Sequence, residues 1–231
     1  MQSLTVRLEM VFGQVRAAAS GKEPGRVLDV GSDHGYLAVR CLEEGVARSA
    51  VCTEIHEPPA RRSEKALADA GFAGRSVVSV TDGLIGIPLQ ANDIVVIAGM
   101  GGLNIMDILS RAMEDNGPQI FRRVTFVLQP QKSVELVRKY LAENGYEFTD
   151  ETVCYDRNIF YNCMRVTYIG NSSNLTDEQA CYGPVLLEKY NNGDKMTAEY
   201  FDHLNKIFEI RKRSNPVVKS ALEERKRNEG K

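Results

Sequence analysis

From residue 26 onward the chain alternates short β-branched runs with stretches of helical periodicity, and no other feature restricts its fold as much. The runs at 26–30, 50–55, 76–81, 93–98 and 124–128 carry apolar residues side by side rather than at every second position. That pattern belongs to strands covered on both faces. Between them, the segments 36–44, 59–70, 102–114 and 133–143 have helical spacing and stop at Gly45, Gly71, Gly117-Pro118 and Asn144-Gly145. Five strands separated by helices predict a parallel sheet with helices on both sides. Two further runs, 146–155 and 159–169, flank the turn Asp156-Arg157-Asn158 and predict an antiparallel hairpin at the sheet edge. The expected fold class is therefore α/β: a Rossmann-like, doubly wound sheet of seven strands with an antiparallel edge hairpin.

Each end of the chain adds helix. Leu4, Leu8, Val11, Phe12 and Val15 predict an amphipathic helix over 3–19, ended by Ser20-Gly21-Lys22. After the polar linker 170–174, Thr176 with Gln179 forms a capping-box pattern, and Tyr200, Phe201, Leu204, Ile207 and Phe208 recur at helical spacing. Such a stripe reads as a packing seam, so 175–231 is expected to be a small coiled-coil-like appendage of two antiparallel helices. The expected division is 1–170 for the α/β domain and 175–231 for the appendage.

Composition narrows the setting. The five cysteines of the 231 residues are odd in number and include no C-x-x-C pair, which argues against a disulfide framework and a zinc site. No metal is expected. No run approaches the ~18 to 20 apolar residues of a membrane span, and no signal peptide is evident at the N-terminus. A soluble cytoplasmic protein, not bound to membrane and with a monomer as the default state, is the expectation. Lys and Arg total 29 against 31 acidic residues, so any nucleic acid partner has to be held by local charge. Arg7, Arg16 and the run Arg211-Lys212-Arg213 suggest one basic face made by the first helix and the appendage.

The chemistry concentrates in Val27-Leu28-Asp29-Val30-Gly31-Ser32-Asp33-His34-Gly35-Tyr36-Leu37, a strand entering a glycine loop and then a helix. In a parallel sheet this loop lies at the carboxyl ends of the strands, where ligands bind. A dinucleotide fingerprint needs G-x-G-x-x-G, but its second and third glycine positions are Asp33 and Tyr36 here. A pyrophosphate beside Asp33 would meet a repulsion of about 4 kcal/mol at 4 Å and an effective dielectric near 20. S-adenosylmethionine, with a sulfonium, an ammonium and one carboxylate, suits Asp29, Asp33 and the helix N-terminus instead. Glu54, ending the second strand, is placed for the two ribose hydroxyls, and Asp82, after the third, for the adenine amino group. The fourth strand runs into Ala98-Gly99-Met100-Gly101-Gly102, where small residues let a flat acceptor approach the methyl donor. Gln129, in Leu128-Gln129-Pro130, either offers its amide to the acceptor or caps a turn.

Leu4-x-x-Arg7-Leu8, Asp29-x-Gly31-Ser32-Asp33-His34-Gly35-Tyr36-Leu37, Glu54-Ile55, Asp82-Gly83-Leu84, Ala98-Gly99-Met100-Gly101-Gly102 and Leu128-Gln129-Pro130 occur in this order. In that combination the chain resembles TrmK, the bacterial tRNA adenine N1-methyltransferase family. The resemblance implies a class I methyltransferase that transfers a methyl group from S-adenosylmethionine to N1 of adenine 22 of tRNA, its C-terminal helices assisting RNA binding. It implies a cofactor site of Asp29, Gly31, Ser32, Gly35, Tyr36, Glu54, Ile55, Asp82, Gly83, Ala98, Gly99, Met100 and Gly101. The expected catalytic residues are Asp33, to stabilise the cationic adenine; His34, to orient Asp33 or touch the acceptor; and Gln129. Competing readings are a methyltransferase acting on a small molecule or protein, a non-catalytic tRNA-binding protein, and a nicotinamide dehydrogenase, which Asp33 disfavours.

Overall fold

The computed structural model describes residues 3–21, 23 and 25–229, with only the backbone of Glu229. Lys22 of the expected helix stop, and residues 1–2 and 230–231 of the two expected segments, lie outside the described residues. The sheet contains β1 (Arg26–Val30), β2 (Ser49–Glu54), β3 (Ser76–Val80), β4 (Ile94–Gly101), β5 (Thr125–Lys132), β6 (Tyr146–Asp156) and β7 (Ile159–Tyr168). Their order is β3-β2-β1-β4-β5-β7-β6, parallel through β5, with β7 antiparallel to both β5 and β6. The order reverses between β1 and β4, and the carboxyl ends of these two strands therefore flank the crevice of a doubly wound sheet.

Period-two alternation assigns each strand residue to one of two cores. Leu28 and Val30 of β1 pack with Val95 and Ile97 of β4 on the side of α4 (Gly102–Phe121) and α5 (Val134–Glu143). Val27 and Val96 pack on the other side with α1 (Val6–Ala19), α2 (Tyr36–Glu43) and α3 (Glu57–Asp69). Asp29 shares the face of Val27, so alternation alone points this acid towards α1.

Three expectations are revised. The first helix begins at Val6 rather than 3, because the Thr5 hydroxyl accepts the Leu8 N–H at 3.3 Å and caps it there. β4 and β5 run past their expected ends to Gly101 and Lys132. A register irregularity around Gly99 lets Met100 pair with Pro130, a residue that a regular ladder would not tolerate. The helix after β4 turns at Gly117, which has φ +73, but resumes and ends at Phe121.

The appendage has four helices instead of two: α6 (Asp177–Tyr182), α7 (Pro184–Asn191), α8 (Lys195–Arg211) and α9 (Pro216–Glu229). Gly183-Pro184 separates the first pair. Asp194 accepts the Thr197 N–H at 2.8 Å and starts α8. The capping box of Thr176 and Gln179 is present, and Tyr200, Phe201 and Phe208 form a seam with Tyr182, Leu186 and Val218. A fully buried ion pair fastens this seam to the sheet. Arg138 of α5 donates through Nε to Glu151 of β6 at 2.9 Å and through Nη1 to the carbonyls of Ala180 and Cys181. Glu151 in turn accepts the Val185 N–H at 3.0 Å. A cation thus meets the end of α6 and an anion the start of α7, the favourable signs at both helix termini.

Candidate active site

Two pockets open at the carboxyl edge of the sheet, and among the described residues Gly31 alone lines both. Its φ of +70 turns the chain sharply out of β1, and its N–H donates to the Thr53 carbonyl at 2.8 Å. A Cβ there would lie 2.4 Å from Cε of Met100, so glycine is what lets Met100 lie across the loop. The larger pocket, about 500 Å³, holds Glu54, Ile55, Asp82, Gly83 and Met100 among its walls. The smaller, about 100 Å³, is bounded by Asp29, Ser32, Asp33, His34, Tyr36 and Ala98, with Arg7 and Leu8 of α1 on its far side.

Of the expected site residues, Gly35, Gly99, Gly101 and Gln129 line neither pocket. Gly35 caps α2 in the left-handed region, leaving the first amides of that helix without a side-chain partner. Gly99 and Gly101 belong to the end of β4. Gln129 is 1% exposed; its Oε1 accepts Nη1 of Arg7 at 3.0 Å and its Nε2 donates to the Pro130 carbonyl at 3.2 Å. Its carboxamide is therefore spoken for at both ends, and it supports Arg7 rather than facing an acceptor.

The charges are arranged unequally. Asp29 is 5% exposed, and burial, with Glu54 adding to it, pushes its carboxyl up to about 7, while Arg7 pulls in the opposite direction. Asp33, in contrast, has an exposed carboxylate, bonded to Arg62 of α3 at 2.6 Å, with Nε2 of His34 3.6 Å away. His34 stacks on Tyr36, ring centroids 5.1 Å apart. The Asp33 N–H donates to Glu54, joining the β1 loop to the end of β2.

The sequence did not single out the α4 side of the large pocket. Asn104, Asp107, Ile108 and Arg111 line it, and Arg111 donates to Asp82 at 2.9 Å and pairs with Asp107 at 2.7 Å. One oxygen of Asp82 is thus held by Arg111 while the other is left for a ligand. The spacing of Asp107 and Arg111 does announce a pair on one helix face, but only the placing of β4 beside β1 in the sheet brings that face to the crevice. The expected basic face is also revised: Arg7 enters the small pocket, and Arg211 bonds Glu135 of α5 at 2.6 Å. Lys212 and Arg213 instead line a groove of about 470 Å³ between α8 and α9, together with Lys219, Lys226 and two acids, Glu209, which pairs with Lys212, and Glu223.

A doubly wound sheet with acids at three successive strand ends, and a glycine loop whose Asp33 disfavours a dinucleotide pyrophosphate, marks a class I S-adenosylmethionine-dependent methyltransferase. The sequence model of the TrmK family, tRNA (adenine(22)-N(1))-methyltransferase, matches residues 27–229. The chain belongs to that family. It is 32% identical to a putative tRNA methyltransferase of Mycoplasma pneumoniae over 194 residues, 82% of this chain and 85% of the other. A solved protein of the NADB-Rossmann superfamily from Streptococcus agalactiae is 30% identical, covers 99% of this chain and 94% of its own, and has a TM-score of 0.73. Streptococcus pneumoniae Sp1610, a putative tRNA (m1A22) methyltransferase also solved with S-adenosyl-L-methionine, is alike in fold: TM-score 0.76, 23% identity, 95% of this chain and 97% of that one.

The donor set fits that cofactor. The large pocket offers carboxylates to hydroxyl and amino groups, and the small one places an acid where an ammonium would be welcome. Among the described residues, no group of three or more His, Cys, Asp or Glu side chains is disposed to hold a metal ion, and no helix is long and apolar enough to cross a membrane. All five cysteines are buried free thiols.

Proposed function

We propose that this chain methylates N1 of adenine 22 in tRNA, using S-adenosylmethionine, and does so as a cytoplasmic monomer. The observation that carries the reading is the pair of pockets meeting at Gly31, one suited to a nucleoside and the other to an amino-acid head. Bound across them, the cofactor supplies an electrophilic methyl group. Glu54 and Asp82 hold the nucleoside by charge-assisted hydrogen bonds, each worth about 1.5 to 3 kcal/mol. Ile55, Gly83 and Met100 shape the same pocket, and Ser32, Gly35, Tyr36 and Ala98 the loop and floor beside Asp29.

N1 of adenine attacks with an in-plane lone pair, so the protein needs no strong base, and positioning supplies most of the acceleration. As the N–C bond forms and the C–S bond breaks, positive charge moves onto the adenine. Asp33 sits at the rim to stabilise it. Its bond to Arg62 is between exposed groups and worth no more than about 1 kcal/mol, so the carboxylate can turn towards the developing cation. His34 orients Asp33, and Gln129 fixes Arg7. Because N1 is occupied in a base pair, the adenine has to leave its stack to meet the methyl group. Lys212, Arg213, Lys219 and Lys226 then take the RNA backbone.

Incubation with an unmodified tRNA transcript and S-adenosylmethionine, followed by nucleoside mapping, tests the reading. N1-methyladenosine in the D-arm region supports it. Methyl transfer only to proteins or small molecules would replace tRNA as the substrate.

A further inference from the structure

We infer that the tip of the β6–β7 hairpin is a stacking platform for a nucleobase next to the target adenine, with the Tyr155 ring against the base and Arg157 on a neighbouring phosphate. The inference rests on the tRNA methyltransferase reading and deepens it by naming a surface for the substrate.

Strand direction puts the tip at the crevice. β7 runs antiparallel to β5 and pairs Met164 with Leu128, so its start at Ile159 lies beyond Leu128, towards the carboxyl edge of the sheet. Asp156 ends β6 there and accepts the backbone N–H of Arg7 at 3.4 Å, an acid at the first turn of α1. Arg7 in turn lines the small pocket. The tip is therefore continuous with the site.

Its geometry is fixed. Asp156 pairs with Ile159, leaving a two-residue loop in which Arg157 has φ +50 and Asn158 φ +64. Such a loop requires positive φ at both positions, but glycine, not arginine, adopts it without cost. The arginine places a long cation in solvent, and among the described residues it has no hydrogen-bond or ion-pair partner. Tyr155 is 47% exposed and Ile159 52%, although both lie in the sheet. Phe160 backs the Tyr155 ring, their centroids 4.7 Å apart, and itself meets Tyr200 and His203 of α8 at 5.7 and 5.1 Å. The Tyr155 hydroxyl donates to Oδ1 of Asn158 at 3.3 Å. The ring is thus held from behind with much of its surface open.

Single exposed apolar residues need no explanation. A supported open ring beside an unpaired cation at the rim of the site is a more specific arrangement: its π-face accepts any base and the cation accepts a phosphate. The reaction creates the matching surface, because an adenine drawn from its stack leaves the adjoining base with an uncovered face. One loop with two apolar side chains is also too small for a stable contact between copies of the chain.

The test measures binding of an unmodified tRNA transcript over a range of salt, with S-adenosylhomocysteine titrated separately. Tyr155→Ala should bind the transcript roughly 5- to 100-fold more weakly, as expected for one lost base–aromatic stack. Its slope of log affinity against log salt should not change, since a stack releases no counterions. Tyr155→Phe keeps the ring and should stay within about twofold of the wild type. Arg157→Gln should reduce the salt slope by about 1. All three should bind S-adenosylhomocysteine as the wild type does. Unchanged tRNA affinity in Tyr155→Ala overturns the platform. Equal losses in Tyr155→Ala and Tyr155→Phe, or a parallel loss of S-adenosylhomocysteine binding, also overturn it, making Tyr155 a support of the turn. A wild-type dimer in sedimentation that Tyr155→Ala dissociates would make the tip a contact between copies instead. A wild-type protein that binds S-adenosylhomocysteine but no tRNA overturns the tRNA reading itself, an outcome distinct from loss of the platform alone.

Discussion

Asp29 occupies a position where a free acid is costly to the fold. Buried on the α1 side of β1 and close to Glu54, its carboxyl titrates at about 7 instead of 3.8. The folded chain therefore keeps a proton that the unfolded chain gives up near pH 4, and its stability falls as the pH rises from about 4 to 7, then levels off. A shift of that size corresponds to a cost on the order of 4 kcal/mol above pH 7. Asp29→Asn should raise the melting temperature more at pH 8 than at pH 5, while S-adenosylhomocysteine binds it more weakly. An equal gain at both pH values would show that the acid is not strained. In the wild type, cofactor binding should weaken as the pH drops below about 7, because a protonated Asp29 no longer attracts an ammonium; in the variant that dependence should be lost. Such opposition between stability and binding is expected where a group is placed for a ligand.

Among the elements, the join between α5, β6 and the start of the appendage carries the sharpest stability test. Arg138→Leu leaves Glu151 buried without its cation and frees the carbonyls of Ala180 and Cys181. A loss of about 3–5 kcal/mol in urea denaturation is expected, whereas the double change Arg138→Leu with Glu151→Leu should lose less than the single one. A single-variant loss below about 1 kcal/mol would mean that the pair does not hold the appendage. What the sequence revealed of the elements follows their length and burial. Four of the five parallel strands were legible because burial on both faces makes their apolar runs continuous; β3, at the sheet edge with Val77 and Val80 exposed, was legible from its β-branched residues alone, and the Gly117-Pro118 break marked the turn within α4. The appendage was misjudged as two helices because α6 spans six residues, too few for periodicity to declare itself. The three acids of the site were legible for a related reason: parallel strands bring their carboxyl ends to one edge. Arg111 and the bond of Arg7 to Gln129 were not, since the first depends on the order of strands and the second joins residues 122 positions apart.

Over the whole molecule, the crevice and the basic groove between α8 and α9 belong to opposite parts of the chain, and the RNA is proposed to bridge them. Lys219→Glu with Lys226→Glu should weaken tRNA binding and reduce the slope of log affinity against log salt by about 2, as expected for two lost phosphate contacts. S-adenosylhomocysteine binding should not change. An unaltered salt slope would remove the groove from the RNA path. The central claim is methyl transfer to one adenine of tRNA, and the most direct measurement is incorporation of labelled methyl into two transcripts that differ only at position 22, adenine in one and guanine in the other. Label entering the adenine transcript alone, recovered as N1-methyladenosine, is the predicted result. Equal label in both, or none in either despite cofactor binding, would contradict it.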